Sequence, residues 1–320
     1  VIDFRYHLVS IVAVFLALAL GIVLGSTTLS QSVTNGLKQE ANRATRRADD
    51  LRRTQQKQEA QLKGEEQFAS TTGPQYVAGR LKGQSLVLVE TPGAGEEGVS
   101  QVIDLATKAG ATVTGRVAIQ KKALDPDESH TLDELATQLK PAGTEFPSGA
   151  DSYAKAGAVL ASAIVTNDAT KAGREDATGA GILTGFREAG YVTTSGKPGQ
   201  HATLAVVIAP ATPYGSDTAG GTRALVTLTS QLDAADRGTV LGGPNTAAQQ
   251  GGLITALRDD SGVSKRVSSV DVLDTASGQV VAILALQNEL GGKSGQYGVG
   301  PGANGGYLPS PPPPAAGKNG

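Results

Sequence analysis

The sequence predicts an α/β protein: a Rossmann-like parallel-sheet domain preceded by a single amino-terminal transmembrane helix and a helical, coiled-coil-like stalk. Three observations carry this expectation. Leu8 to Gly25 run eighteen residues without a charge, residues 38 to 66 hold dense mixed charge without a proline, and from residue 85 short β-branched runs alternate with amphipathic ones. The alternation is the signature of βαβ units in a parallel sheet.

The first segment reads LVSIVAVFLALALGIVLG, with Ser10 its one polar side chain. At 1.5 Å per residue it spans about 27 Å, the thickness of a bilayer core. Ala17-Leu18-Ala19 resembles a signal-peptidase site. The apolar run continues past it through Leu24, which favours a retained signal anchor over cleavage after Ala19. Arg5 and the amino terminus precede the helix and residues 26 to 37 carry no charge, so the positive-inside rule places the amino terminus in the cytoplasm and the rest outside. Val1 reads as a literally translated GUG start. Ala13, Ala17, Gly21 and Gly25 recur every fourth residue, a small-residue stripe that lets two membrane helices pack closely, although Ala and Gly are also common in membrane helices generally.

Residues 38 to 66 carry eight basic and six acidic side chains. Their composition favours helix, and a three-four seam runs through Leu37, Ala41, Ala44, Ala48, Leu51, Gln55, Gln58 and Leu62. The seam predicts a weakly dimerising stalk, with a solvated single-helix spacer as the alternative. The expected organisation is a cytoplasmic stub and anchor over 1–26, stalk over 27–72, exported α/β domain over 73–290, and a disordered Gly/Pro-rich tail over 291–320.

Within the domain, Ser85 to Glu90 and Thr112 to Ile119 read as strands flanking a helix from about Val99 to Ala109. Gly157 to Val165 reads as a buried helix or strand. Helices are expected at Ala180 to Ala189, Gly221 to Leu232, Ala247 to Arg258 and Gln279 to Leu290, and strands at Leu204 to Ala209, Val240-Leu241 and Val267 to Leu273. The tail ends LPSPPPPAAGKNG, a composition that cannot bury enough apolar surface to offset its ordering entropy.

Composition excludes several chemistries. The chain has no Cys, no Met, no Trp and three His, which removes disulfides, thiolate metal sites, thiol nucleophiles and soft sulfur ligands for a cuprous ion. With 28 basic and 30 acidic side chains the net charge is −2, giving no electrostatic basis for nucleic-acid binding. Gly93, Gly95 and Gly98 form a literal G-x-G-x-x-G after a strand and before a helix. Glu96 and Glu97 stand where a pyrophosphate would lie, and no acidic ribose ligand follows at Val117 to Ile119, so a flexible strand-to-helix loop is the competing reading. Asp125, Asp127, Glu128 and His130 are the candidate metal ligands, and the same residues also read as a turn plus helix cap. His201 stands just before the strand at Leu204, with Ser195-Gly196-Lys197 upstream. The sequence contains no G-x-S-x-G elbow, H-E-x-x-H or Walker loop, so no enzyme and no cofactor is expected.

Arg5, His7-Leu8-Val9, the run Val12 to Ala19, Gly21, Gly25-Ser26, the later SLVLVETPGAG and the segment Ala276 to Ala282 together resemble the actinobacterial MctB copper transporter family, which includes the SteB-like envelope proteins. The resemblance implies copper transport or homeostasis in the cell envelope, with copper as substrate and, for the transporters, a proposed outer-membrane pore. For the SteB-like members it implies an envelope partner of a SteA-like cytoplasmic protein, linked to control of cell-wall hydrolases and division. The residues themselves favour the second kind of mechanism, a homodimeric single-pass scaffold. One apolar helix offers no channel, ten-residue alternating strands for a barrel are missing, and sulfur ligands are absent.

Overall fold

The computed structural model describes residues 4–146, 148–214 and 219–309. The chain divides into two units, Val1–Glu65 and Glu66–Gly320. Helix α1 runs from Phe4 to Val77. Its apolar part, Phe4–Gly25, has a mean hydropathy of 2.9 and is the one candidate membrane span among the described residues. In the charged part, Arg43 pairs with Glu40 and Arg52 with Asp49 one turn away, and Gln61 donates to Glu65 at 2.8 Å. Such pairs add a few tenths of a kcal/mol each, about 0.2–0.5 kcal/mol, to a helix with no buried face. The helix passes the expected boundary at Thr72 and ends at Val77, with Pro74 inside its last turn.

The second unit is built on seven strands: β1 (Ser85–Glu90), β2 (Thr112–Ile119), β3 (Val192–Gly196), β4 (Leu204–Ile208), β5 (Thr239–Gly242), β6 (Ser268–Val270) and β7 (Gln296–Tyr297). Their order is β3-β2-β1-β4-β5-β6-β7, parallel except for β3 against β2. β1 and β4 are buried almost throughout, as central parallel strands covered on both faces must be. The remaining helices are α2 (Glu96–Lys108), α3 (Ser129–Leu139), α4 (Ser152–Ile164), α5 (Ala177–Glu188), α6 (Ala219–Ala235), α7 (Leu253–Asp259) and α8 (Ala276–Leu290). One core joins Leu86 and Leu88 of β1 to Val102 of α2, Ile283 of α8 and Val77. The other joins Val87 and Val89 to Leu160, Phe186, Leu225 and Leu257 from α4 to α7.

Local chemistry sets the helix starts. Asp151 accepts from Ala154 N–H at 2.8 Å, Asp176 from Gly179 N–H at 2.7 Å and Thr275 from Gly278 N–H at 3.0 Å. The Asp151 cap resolves the ambiguous Gly157 to Val165 run into helix α4. At Gly278 a Cβ would stand 1.7 Å from the carbonyl oxygen of Val272, so the sharp entry from β6 into α8 requires glycine.

Three expectations change. The helix expected over Ala247 to Arg258 splits into a 3-10 turn at Asn245–Ala248 and α7, because Gly251 takes φ +80° and Gly252 lies within 2.1 Å of Ala247 O at its Cβ position. The edge strand β3 was not expected, since VTTSG is polar and mostly exposed. The disorder expected from Gly291 is overturned up to residue 309: β7 joins the sheet beside β6, and Tyr307 Oη lies 2.5 Å from Ser277 Oγ. Polar anchoring orders this segment, where composition counted only apolar burial. Pro311 to Pro314 lie outside the described residues.

Candidate functional site

The strand order reverses direction at β1. The chain leaves β1 through α2 to β2 on one side and returns to β4 on the other, while α2 and α6 cover opposite faces. In such sheets the crevice beyond the carboxyl ends of the strands at this switch point is where ligands bind. Here the loops at 91–95, 120–126 and 209–214 frame it. One lobe, about 550 Å³, is lined by Pro92, Gly93, Lys121, Asp125, Pro210 and Tyr214, among others. A second lobe, about 540 Å³, shares Pro92, Gly93 and Lys121 and extends along Glu90, Gln120 and Gly190.

The crevice walls are fixed by hydrogen bonds. Thr91 donates from Oγ1 to Ile208 O at 2.7 Å and Tyr214 donates from Oη to Pro92 O at 2.7 Å, tying the β1 loop to the β4 loop. Burial pushes the Tyr214 hydroxyl above its ordinary range, keeping it a donor. Gly93 adopts φ +86° with its missing Cβ 3.5 Å from Pro210 Cβ. Glu90 is ion-paired with Arg116 at 3.2 Å. Lys122 donates to Ala189 O at 3.0 Å and lies 3.8 Å from Glu128.

The glycine motif is placed on this rim. Gly93 forms the turn, Gly95 precedes α2 with no side-chain cap, and Gly98 sits inside the first helical turn, 3.9 Å at its Cβ position from Leu273 O. Three of the four candidate metal ligands turn their side chains to different partners, and Asp127 gives its backbone N–H to one of them. Asp125 accepts from Asp127 N–H at 3.0 Å, which makes it the cap of the 3-10 turn at Pro126–Glu128. Glu128 accepts from Tyr191 Oη at 2.8 Å, and burial with this neighbour raises the tyrosine to about 12. His130 is exposed, 3.2 Å from Glu134. Among the described residues no three His, Asp or Glu side chains form a group able to hold a metal ion.

His201 is buried at φ +21°, its Nε2 3.0 Å from Asp176 Oδ2. Asp176 is held below the usual carboxylate range, mainly by the Gly179 N–H and then by His201, so this pair serves the start of α5. In the first unit Ala13, Ala17, Gly21 and Gly25 form one exposed line, and a Cβ on Gly21 or Gly25 would meet nothing within 4 Å. Sequence reasoning missed Lys121, Pro210 and Tyr214, because their meeting depends on the strand order; Gly93 and Asp125 were singled out, each for a different reason, and both line the crevice.

One apolar helix of bilayer length among the described residues, a charged helical segment and a mostly parallel, doubly covered sheet are the architecture of a membrane-associated α/β protein. The family described as "Copper transport outer membrane protein, MctB" matches residues 1–307, and the chain belongs to it. It is 28% identical over 306 residues to the copper transporters MctB of Mycobacterium bovis and Mycobacterium tuberculosis, covering 94% of this chain and 98% of theirs. With the copper transporter MctB of Mycobacterium leprae it is 28% identical over 309 residues, with the same coverage.

Proposed function

We propose that this chain acts in copper homeostasis at the cell envelope as a non-enzymatic, membrane-anchored homodimeric scaffold, with its amino terminus cytoplasmic and its α/β domain outside. The observation that carries the reading is the continuity of α1, which begins as the apolar span and whose last turns belong to the α/β fold itself. There Glu66 accepts from Ala276 N–H at 2.8 Å, and Gly73 lies against Val280. One helix thus carries the apolar span at its start and supplies the first element of the α/β fold at its end.

The small-residue stripe and the leucines of the charged segment supply the dimer contact. With no Cys and no Met in the chain, copper enters this reading through proteins held by the scaffold, including a SteA-like partner at the cytoplasmic stub, and not through soft ligands of its own.

The test is deletion of the gene with complementation, reading cell copper, alongside crosslinking and co-purification from membranes in mild detergent. A rise in cell copper on deletion, a crosslinked dimer and a specific co-purifying partner support the proposal. A monomer without a specific partner, unchanged cell copper, or copper binding by the purified protein tighter than micromolar overturns it.

A further inference from the structure

We propose that the switch-point crevice binds a small zwitterion, an amino acid or dipeptide with an apolar ring, and that Lys121 and Asp125 receive its two charged ends. This inference is independent of the scaffold proposal.

The place follows from topology, since three strand ends open on one crevice where the connections diverge. Its first lobe, about 550 Å³, has the size of a small-molecule site. Much of its wall is apolar: Pro92, Pro210, Pro213 and Tyr214 on the β1 and β4 loops line it with Leu124 and Pro126 on the β2 loop. The Tyr214–Pro92 bond holds two of these walls in register. A flat apolar ring is the shape such walls accommodate at little entropic cost.

The charges decide the class of ligand. The crevice carries four ionisable groups besides Tyr214: Glu90, Lys121, Lys122 and Asp125. Glu90 is matched by Arg116, and Lys122 by Glu128 and the Ala189 carbonyl. Lys121 and Asp125 remain. They line the same lobe, and neither has an ion-pair partner among the described residues. Asp125 uses Oδ1 for the Asp127 N–H, which leaves acceptor capacity on its carboxylate. One cation and one anion set against an apolar wall match a ligand that carries a carboxylate, an ammonium and a ring. A simple anion would meet Asp125 unpaired, and a simple cation would meet Lys121 unpaired.

The experiment uses the full chain in detergent micelles, titrated with L-phenylalanine and glycyl-L-phenylalanine and followed by calorimetry and chemical-shift perturbation. Phenylacetate and phenethylamine, which each keep the ring and one charge, form the comparison arms. At least one zwitterion is expected to bind at least tenfold tighter than either single-charge analogue. Lys121→Gln and Asp125→Asn are each expected to weaken it tenfold or more, with an unchanged melting temperature because the asparagine oxygen keeps the turn cap. No binding by either zwitterion, equal binding of phenylacetate or phenethylamine, or indifference to both substitutions overturns the proposal.

Discussion

Arg258 and Asp271 form a buried ion pair, Nη1 to Oδ2 at 2.8 Å, with the arginine side chain 4% and the aspartate 0% exposed. The pair holds the segment after α8 in place. Arg258 also donates to Tyr297 O at 2.9 Å and Pro301 O at 2.7 Å, while Asp271 accepts from Val299 N–H at 2.8 Å and Gly300 N–H at 3.0 Å. Gly298 and Gly300 let the backbone come this close, since a Cβ on either would lie within 3 Å of the Asp271 carboxylate. Two charges and a set of backbone groups thus satisfy one another where little apolar area is buried.

Breaking the pair from one side leaves the other charge buried and unmatched. Arg258→Met is therefore expected to lower unfolding stability by about 3–5 kcal/mol, most of it the cost of the stranded Asp271. The double substitution Arg258→Met with Asp271→Asn should recover part of that loss. Urea unfolding measures both, and hydrogen exchange at Gln296 and Tyr297 should rise with the single substitution. Protection unchanged at β7 would show that other contacts hold the strand.

Much of the sheet was legible in the sequence and its far edge was not. Thr112–Ile119 and Ser85–Glu90 match their expected bounds because short runs rich in Val, Ile, Leu and Thr, set off by turn or charged residues, read as strands. Gln296–Tyr297 escaped because its order comes from Arg258, nearly forty residues earlier in the chain and in another helix. The crevice was half visible. Gly93 announces a tight turn after a strand, but Tyr214 reaches Pro92 across more than a hundred residues, and only the order β2-β1-β4 brings them together. The loop at Asp125 carried a real signal for a cap, which the structure uses, and gave no means of seeing that Lys121 shares its cavity.

Stability should fall as pH rises, because two buried carboxyls are held protonated. Burial pushes Asp236 up to about 8 against the hydrogen bonds from Thr239 and Gly238. It likewise pushes Glu289 up to about 8, with repulsion from Asp233 and Asp236 added and with Ser268 donating to it through both its hydroxyl and its N–H. Asp233 is raised as well, its burial outweighing the Arg266 guanidinium at 2.6 Å. A folded-state value above the unfolded one means that unfolding releases protons. The stabilising contribution is complete below the ordinary carboxylate range and is lost as pH climbs through about 8. The urea midpoint is expected to drop steadily from about pH 5 to about pH 9. Glu289→Gln, which keeps the acceptor for Ser268, should flatten that slope. A flat profile in the unsubstituted protein would contradict the assignment.

Glu66 connects the last turns of α1 to α8. Its Oε1 accepts from Ala276 N–H at 2.8 Å, one of the orphan donors at the start of α8. Glu66→Ala is expected to cost about 1 kcal/mol, the usual value of a lost cap. Gly73→Val should cost more, since even a Cβ there lies 2.6 Å from Val280 Cγ2. Thermal melts of the two variants give the ranking, and an equal effect would mean that Val280 moves aside.

The charged segment of α1 leaves Leu37, Leu51 and Leu62 exposed, at 67%, 71% and 63%. Fully burying a leucine is worth about 1.5–3 kcal/mol, and the Ala and Gln positions between these three add little. That total is too small to hold two freely diffusing chains together against the translational and rotational cost of association. In the proposed homodimer, confinement to a membrane, with the Ala13-Ala17-Gly21-Gly25 line as a second contact, would raise the effective concentration enough for such a seam to matter. Leu51→Asp is therefore expected to reduce crosslinked dimer in membranes severalfold. The same substitution should leave the melting of the α/β unit unchanged, because Leu51 contributes nothing to its core. Gly21→Leu together with Gly25→Leu should act in the same direction from inside the bilayer. A crosslinked fraction that all three substitutions leave intact, or the absence of any crosslinked dimer, contradicts the proposed homodimer contact.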